Sequence, residues 1–416
     1  MPIVTVQGAH DQSVKLTYDS NATAAIARNL AAAITASVQA NTMLPADSKD
    51  GPPPTLPGGK LGEFVQSTKG LTILPSGYNA VVNSSHGSVI FGSGGKDESV
   101  LSSNGGLTFI ATGGSGTVAA GGGDNRIVIP ATDNGDWSIN TGKGDDTVLA
   151  LGGGNDTINA GGGDNAIQLG SGNDALLSEG DDTILAGSGA ETIAASGNHD
   201  DVVYGNASDA FFVGDGGGAT IMGGTGSDTF FGGKGPDVVH GGSSGNNLLF
   251  AGSGEATLFG GGDGDQLYAA GNRGQALHAG AGNETLFGGF SSGADTFYGG
   301  TGNATMTAGS GKDMFAFING QAGGNDLVQG FARGDKINLQ GYGPDAVKQA
   351  LESQQVVGDS VTITLPDNTT VTFAGVTGLS SKDFTGGGGH GHGHGHDGHD
   401  SHDDIAFFRS HSFGHS

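Results

Sequence analysis

The chain has 416 residues, of which 85 are glycine and 11 proline, with 42 acidic residues against 16 basic ones and a formal charge of −26. Glycine at this level disfavours helix by ~1 kcal/mol per residue relative to alanine, and the scarcity of proline excludes collagen. The negative charge excludes nucleic acid and favours cations as partners, and the absence of cysteine removes disulfides and thiol chemistry.

Residues 1–18 read as one or two short strands, and residues 20–43 as a helix capped by Ser20 or Asn21, with Ile26, Leu30, Ile34 and Val38 on one face. Together, residues 1–44 read as an N-terminal strand and helix cap. The start, Met1–Gly8, has no basic residue ahead of an apolar run, so no cleaved secretion signal is expected there. No run of 18 apolar residues exists, so no membrane-spanning helix is expected. Residues 45–69 hold Pro45, Pro52, Pro53, Pro54 and Pro57 among glycines and read as a linker.

From residue 70 the chain repeats. The apolar residues Val100, Phe109, Val118, Ile127, Ile139, Val148, Ile158, Ile167, Leu176, Ile184, Ile193, Val202, Phe211, Ile221, Phe230, Val239, Leu249, Leu258, Leu267, Leu277, Leu286, Phe297, Met306, Phe315 and Val328 are separated by 24 steps, 16 of them nine residues and four of them ten. Such a period is the signature of stacked units: one unit cannot bury its apolar residue alone, and stacking builds a continuous column. Each unit is a short strand with a glycine-rich turn, where glycine supplies positive φ. Residues 70–140 are degenerate repeats and residues 141–328 regular ones.

The units Gly223–Phe231 and Gly232–His240 both fit G-G-x-G-x-D-x-U-x, where U is apolar. This motif resembles the RTX nonapeptide, a calcium-binding repeat. The resemblance implies a right-handed parallel β-solenoid of the β-roll type, all-β apart from the N-terminal helix. Calcium takes six to eight oxygen ligands from carboxylates and carbonyls. The acidic positions in phase with the apolar column are Asp146, Asp156, Asp174, Asp182, Asp200, Asp209, Asp228, Asp237, Asp265, Asp295 and Asp313, and these are the candidate calcium ligands. Earlier units carry Glu98, Leu107, Gly116, Asn125 and Trp137 there, so binding is expected to begin near residue 141. Residues 141–329 hold 22 acidic and four basic residues, a self-repelling segment without cations.

Sorted by threes, the in-phase residues fall into an all-Asp class, a mostly Asp class and a class without Asp. A 28-residue echo at Thr229, Thr257 and Thr285 agrees, and both point to a three-faced coil of 27–28 residues instead of the two-strand coil of about 18. The pair Gly144-Asp-Asp-Thr and Gly180-Asp-Asp-Thr, 36 residues apart, argues the other way.

Asn325–Leu339 resembles the block that closes the array in type I-secreted proteins such as serralysin-type proteases. Residues 361–373 alternate as a hairpin, and Val376–Phe384 fits the closing segment. Residues 329–385 thus read as a C-terminal β segment and secretion region. The resemblance carries over Asp326, and with it Asp335, as last calcium ligands. It also implies a type I ABC exporter that reads the C-terminal region. Residues 386–416 form a histidine-rich tail. His390, His392, His394, His396, His399 and His402 suit Zn²⁺, Ni²⁺ or Cu²⁺, or serve only as a soluble spacer.

No H-E-x-x-H occurs. G-x-S-x-G occurs around Ser243 and Ser291, both within repeat turns and away from any strand-to-helix elbow. The expectation is therefore a secreted, non-enzymatic calcium-binding repeat protein that folds outside the cell. Its expected role is structural, adhesive or in a matrix, with a cell-surface or matrix polysaccharide as partner. The alternatives are a cation-active or pore-forming effector, and an enzyme with a site in the solenoid groove.

Overall fold

The computed structural model describes residues 1–385 except 198–200, 214–216 and 244. Successive strands alternate between two long parallel sheets that face each other. The first sheet has 19 strands and runs from Met43–Asp47 to Asn325–Gln329, then continues through Thr370–Phe373, Ser360–Thr364 and Gln355–Val357. The second has 16 strands, from Leu71–Ile73 to Phe384–Thr385. Each coil therefore holds two strands and two turns, a parallel β-solenoid.

The three-faced coil is excluded. Ile139 pairs with Ile158 and Ile158 with Leu176 in one sheet, while Val148 pairs with Ile167 in the other, so neighbours lie one two-strand coil apart. The echoing Thr229, Thr257 and Thr285 fall alternately on the two sheets. Any sequence echo that keeps the strand spacing fits a two-strand coil, so the three classes of aspartate carry no geometric meaning.

Apolar side chains from both sheets fill the slot between them. Every residue of the sequence column is buried except Val202, whose place is taken by Val203. The turn before this strand carries one more residue than the nine-residue step allows.

Glycine owes its frequency less to positive φ than to turn stacking. A Cβ on Gly172 would lie 1.7 Å from the Gly154 carbonyl oxygen, and one on Gly135 would lie 1.6 Å from that of Gly114. At such positions a turn rests directly on the backbone of the turn before it, with no room for a side chain between them.

The N-terminal unit flanks the solenoid and does not cap its end. Ile3–Gln7 and Ser13–Thr17 form an antiparallel hairpin. The helix Asn21–Gln39 follows, and the Ser20 hydroxyl accepts hydrogen bonds from the Ala22 and Thr23 amides. Its buried face is Thr23, Ala24, Ala27, Ala31 and Ile34, while Ile26, Leu30 and Val38 lie at the margin. Small alanines let the helix approach the outer face of the first sheet, where Val65, Ala80, Val82, Leu101 and Ala119 meet it. The end of the slot is covered by the proline-rich segment. Leu56 packs on the core, and the Tyr78 hydroxyl donates to the Pro54 carbonyl at 2.7 Å. The segment 45–69, read as a linker, thus contains most of the first two strands, Met43–Asp47 and Leu61–Gln66. The other end is closed by the hairpin Ser360–Phe373 and a helix, Ala346–Glu352, which buries Ala350.

Candidate metal sites in the repeat turns

The residue two before each inward apolar side chain sits where a turn enters a strand. Its side chain is buried and aimed along the solenoid axis at the neighbouring coil. Asp156 shows the geometry: its Oδ1 accepts from the Trp137 amide at 2.8 Å, while its own amide donates to Asp174 Oδ1 at 2.7 Å. The same link joins the Asn125 amide to Asp146, Asn165 to Asp182, Glu191 to Asp209, and Asp209 to Asp228. It continues from Ala219 to Asp237, Asn247 to Asp265, Gln275 to Asp295, Asp295 to Asp313, and Ala304 to Asp326. One ladder runs along each sheet. Asp335, which accepts from the Asp313 amide at 2.9 Å, extends one of them.

The column position assigned to Asp200 belongs to Asp201: the Asp182 amide donates to Asp201 Oδ1 at 3.1 Å, and Asp201 is buried. This is the one-residue slip that replaces Val202 by Val203. Asp200 itself, like His390, His392, His394, His396, His399 and His402, lies outside the described residues.

The amide link uses one carboxylate oxygen. The other, Oδ2, is buried without a hydrogen-bond partner in Asp146, Asp174, Asp228, Asp295 and Asp326, as is Oε2 of Glu191 and Glu284. A buried carboxylate oxygen without a donor carries a desolvation penalty that a cation removes. Burial pushes the carboxyls of Asp146, Asp228, Asp237 and Asp295 up to about 6, Asp156 to about 7 and Asp326 to about 8, with backbone donors partly opposing it. Asp174, Asp182, Asp265 and Asp313 shift the same way for the same reason.

Gln275 reveals what else the turns offer. Its Nε2 donates to three turn carbonyls, Gly252, Gly254 and Ala270, at 3.0, 3.1 and 2.6 Å. Asn125 Nδ2 does the same with Gly121 and Gly123 at 2.9 and 2.7 Å. The turn carbonyls therefore converge on a point that takes a positively polarised group. Where Asp stands at the equivalent position, turn carbonyls and a carboxylate oxygen would together supply an oxygen-only donor set of the kind calcium takes. The residues fit the ion. Reading Gln275 and Asn125 merely as breaks in the aspartate pattern missed this role.

A family model for the RTX calcium-binding nonapeptide repeat matches residues 141–176, 178–202, 213–244, 242–274 and 291–316. Within the solenoid, the stretch from residue 141 to residue 316 carries RTX repeats. The stretch between the last two matches holds Gln275 and Glu284, the amide and the longer carboxylate that depart from the ladder. RTX matching ends at residue 316, so the likeness of the segment beyond it to a serralysin-type closing block stands on its sequence alone. No curated protein matches the chain. Among solved structures, the extracellular lipase LipA from Serratia marcescens matches at 15% identity with a TM-score of 0.23, over 52% of this chain and 45% of the lipase. The chain thus spans less than half of that protein. Ser291 of the G-x-S-x-G sequence is buried at the end of the strand Thr285–Ser291, where its hydroxyl donates to Asp295 Oδ1 at 3.3 Å. Among the described residues no helix is long and apolar enough to cross a membrane.

Proposed function

We propose that the protein is exported unfolded and folds outside the cell when calcium reaches the RTX turns. There it serves as a structural component of a cell surface or matrix. The observation that carries this reading is the set of seven buried carboxylate oxygens without donors, on Asp146, Asp174, Glu191, Asp228, Glu284, Asp295 and Asp326, in an array whose turns also bring carbonyls together. Bound calcium supplies the counter-charge. The chain's own residues supply the rest: Asp Oδ1 ties one coil to the next, the donor-less carboxylate oxygens and turn carbonyls would hold the ion, and the apolar slot closes once the coils stack. Binding to the folded state alone shifts the folding equilibrium by mass action.

Export through a type I ABC system that reads the C-terminal region accords with an acidic array that stays unfolded at low cytosolic calcium. A role without catalysis accords with the architecture. Among the described residues every strand belongs either to the small N-terminal hairpin or to the solenoid, and Ser291 of the serine motif is buried at a solenoid strand's end.

The test is fractionation of cultures grown with and without calcium. The expected result is protein outside the cell, held in the surface or matrix fraction and released by a chelator. Protein that stays inside the cell in both cultures overturns the export reading. Protein released freely into the medium in both favours the effector alternative over the matrix role.

A further inference from the structure

The outer faces of the sheets carry aromatic ladders that calcium binding does not use. On the second sheet His240, Phe259, His278 and Tyr298 occupy the same register position in successive coils. Their rings stack at centroid distances of 4.4 Å for His240–Phe259 and Phe259–His278, and 3.9 Å for His278–Tyr298, the last pair only 6° from parallel. The next position is Ala316, which pairs with Tyr298 and is buried. The ladder therefore stops at Tyr298, whose next register neighbour carries only a methyl group.

Beside this ladder end the coil lengthens. Asp313 and Asp335 are 22 residues apart, against 18 for Asp295 and Asp313. The added residues form an overhang after Ile318, whose carbonyl accepts the amides of Gln321 and Ala322 at 2.8 Å. Overhang and ladder enclose a cavity of about 310 Å³, lined by Tyr298, His278, Ala316, Thr301, Ile318 and Gln321 among others. That is the low end of ligand-sized pockets.

The lining has a chemistry of its own. It holds no Asp, Glu, Lys or Arg, in a chain of formal charge −26. Burial lowers His278 to about 4, so its ring is neutral at ordinary pH. One wall is an aromatic face. The rim carries the Tyr298 hydroxyl, the Thr301 hydroxyl, the Gln321 amide and the backbone of glycine turns. A flat apolar wall with a hydrogen-bonding rim and no charge complements a ligand with one apolar face and polar edges. We infer that this cavity binds an uncharged hexopyranose unit of a polysaccharide, its C–H face on Tyr298 and its hydroxyls on Gln321 and Thr301. The surrounding negative charge repels uronic acids, so the ligand is a neutral glycan. The inference deepens the surface or matrix reading and rests on it for its biology. The cavity itself stands apart from the calcium ladders.

The test uses the full-length, calcium-loaded protein, with the β-1,4-linked tetrasaccharides of glucose and mannose as neutral probes. Galacturonate tetrasaccharide and tetramethylammonium serve as the charged ones. Titration calorimetry or ligand-observed NMR reads binding. The expected result is binding of at least one neutral tetrasaccharide and neither charged probe. Binding falls about tenfold or more in Tyr298→Ala, as loss of an aromatic contact of ~1.5 kcal/mol implies, and is largely kept in Tyr298→Phe. Gln321→Ala, on the exposed overhang, weakens binding without changing the calcium-induced circular dichroism. If Tyr298→Ala does not fold, Gln321→Ala and Thr301→Val decide. No neutral binding, equal binding by Gln321→Ala and Thr301→Val, or preference for tetramethylammonium overturns the inference. An unchanged calcium response in the same samples shows that the calcium reading survives its failure.

Discussion

In calcium-free buffer the repeat array is expected to be more stable at about pH 5.5 than at about pH 7.5, the reverse of ordinary acid denaturation. The perturbation is protonation of the ladder carboxyls. In the fold, burial raises Asp146, Asp228, Asp237 and Asp295 to about 6, Asp156 to about 7 and Asp326 to about 8, from an ordinary value of 3.8. A raised acid pKa means that the folded chain holds more protons than the unfolded one. The stability these groups allow is complete below the ordinary value and is lost as pH rises through about 6 to 8. Between about pH 5.5 and 7.5 the four groups near 6 lose about half a unit each, Asp156 about one and a half and Asp326 about two; halved for solvent screening, at ~1.4 kcal/mol per unit, the loss is roughly 4 kcal/mol. That is a large share of the whole stability of a domain, about 5–15 kcal/mol. The assay is far-ultraviolet circular dichroism of exhaustively decalcified protein across this range, with calcium added back at the high end. The sequence pI is about 4.5, so the lower pH remains above it. A β-sheet signal equal or greater at about pH 7.5 without calcium refutes the reasoning, because buried unpaired carboxylates would then carry no penalty.

Asp228→Asn is expected to separate the two uses of the ladder. An amide keeps the Oδ1 acceptor for the Asp209 amide, as Asn247 does for the Asp228 amide at 2.8 Å. Urea denaturation without calcium at about pH 7.5 then shows a gain of roughly 1 kcal/mol, and equilibrium dialysis shows less bound calcium. Gly172→Ala places a Cβ 1.7 Å from the Gly154 carbonyl and is expected to destabilise the calcium-loaded protein by about 2 kcal/mol or more. Its thermal midpoint checks this. Hydrogen exchange in chelator is expected to leave residues 62–120 protected by their helix-backed apolar core, while amides of residues 141–316 exchange freely. Equal exchange in both regions counts against an independent N-terminal half.

The fold was largely legible because one buried side chain per strand sets a period that few other architectures produce. What escaped the sequence was register and face. One inserted turn residue moves the ligand from Asp200 to Asp201 and the core residue from Val202 to Val203, and no local signal marks it. The helix buries Ala24, Ala27 and Ala31 in preference to Ile26 and Leu30, because close approach to a flat sheet favours small side chains over large ones. The aspartates were visible by phase. That Gln275 occupies a nest of carbonyls was not, because its role depends on the turn at Gly252 and Gly254 of the preceding coil meeting the Ala270 carbonyl of its own.

The closed ends of the solenoid make the acidic array a segment held at both extremities. Ten strands of the second sheet lie between Thr147 and Ile318, so at ~4.8 Å per coil the stacked array is a stiff rod of about 48 Å. Unfolded, the same glycine-rich stretch is a soft tether with a mean span of roughly 75 Å, and pulled taut it reaches about 600 Å. Under the proposed calcium-driven folding, calcium concentration sets both the length and the compliance of the connection between the two ends. A load carried between them would then be borne by a rod in high calcium and by a slack, extensible strand in low calcium.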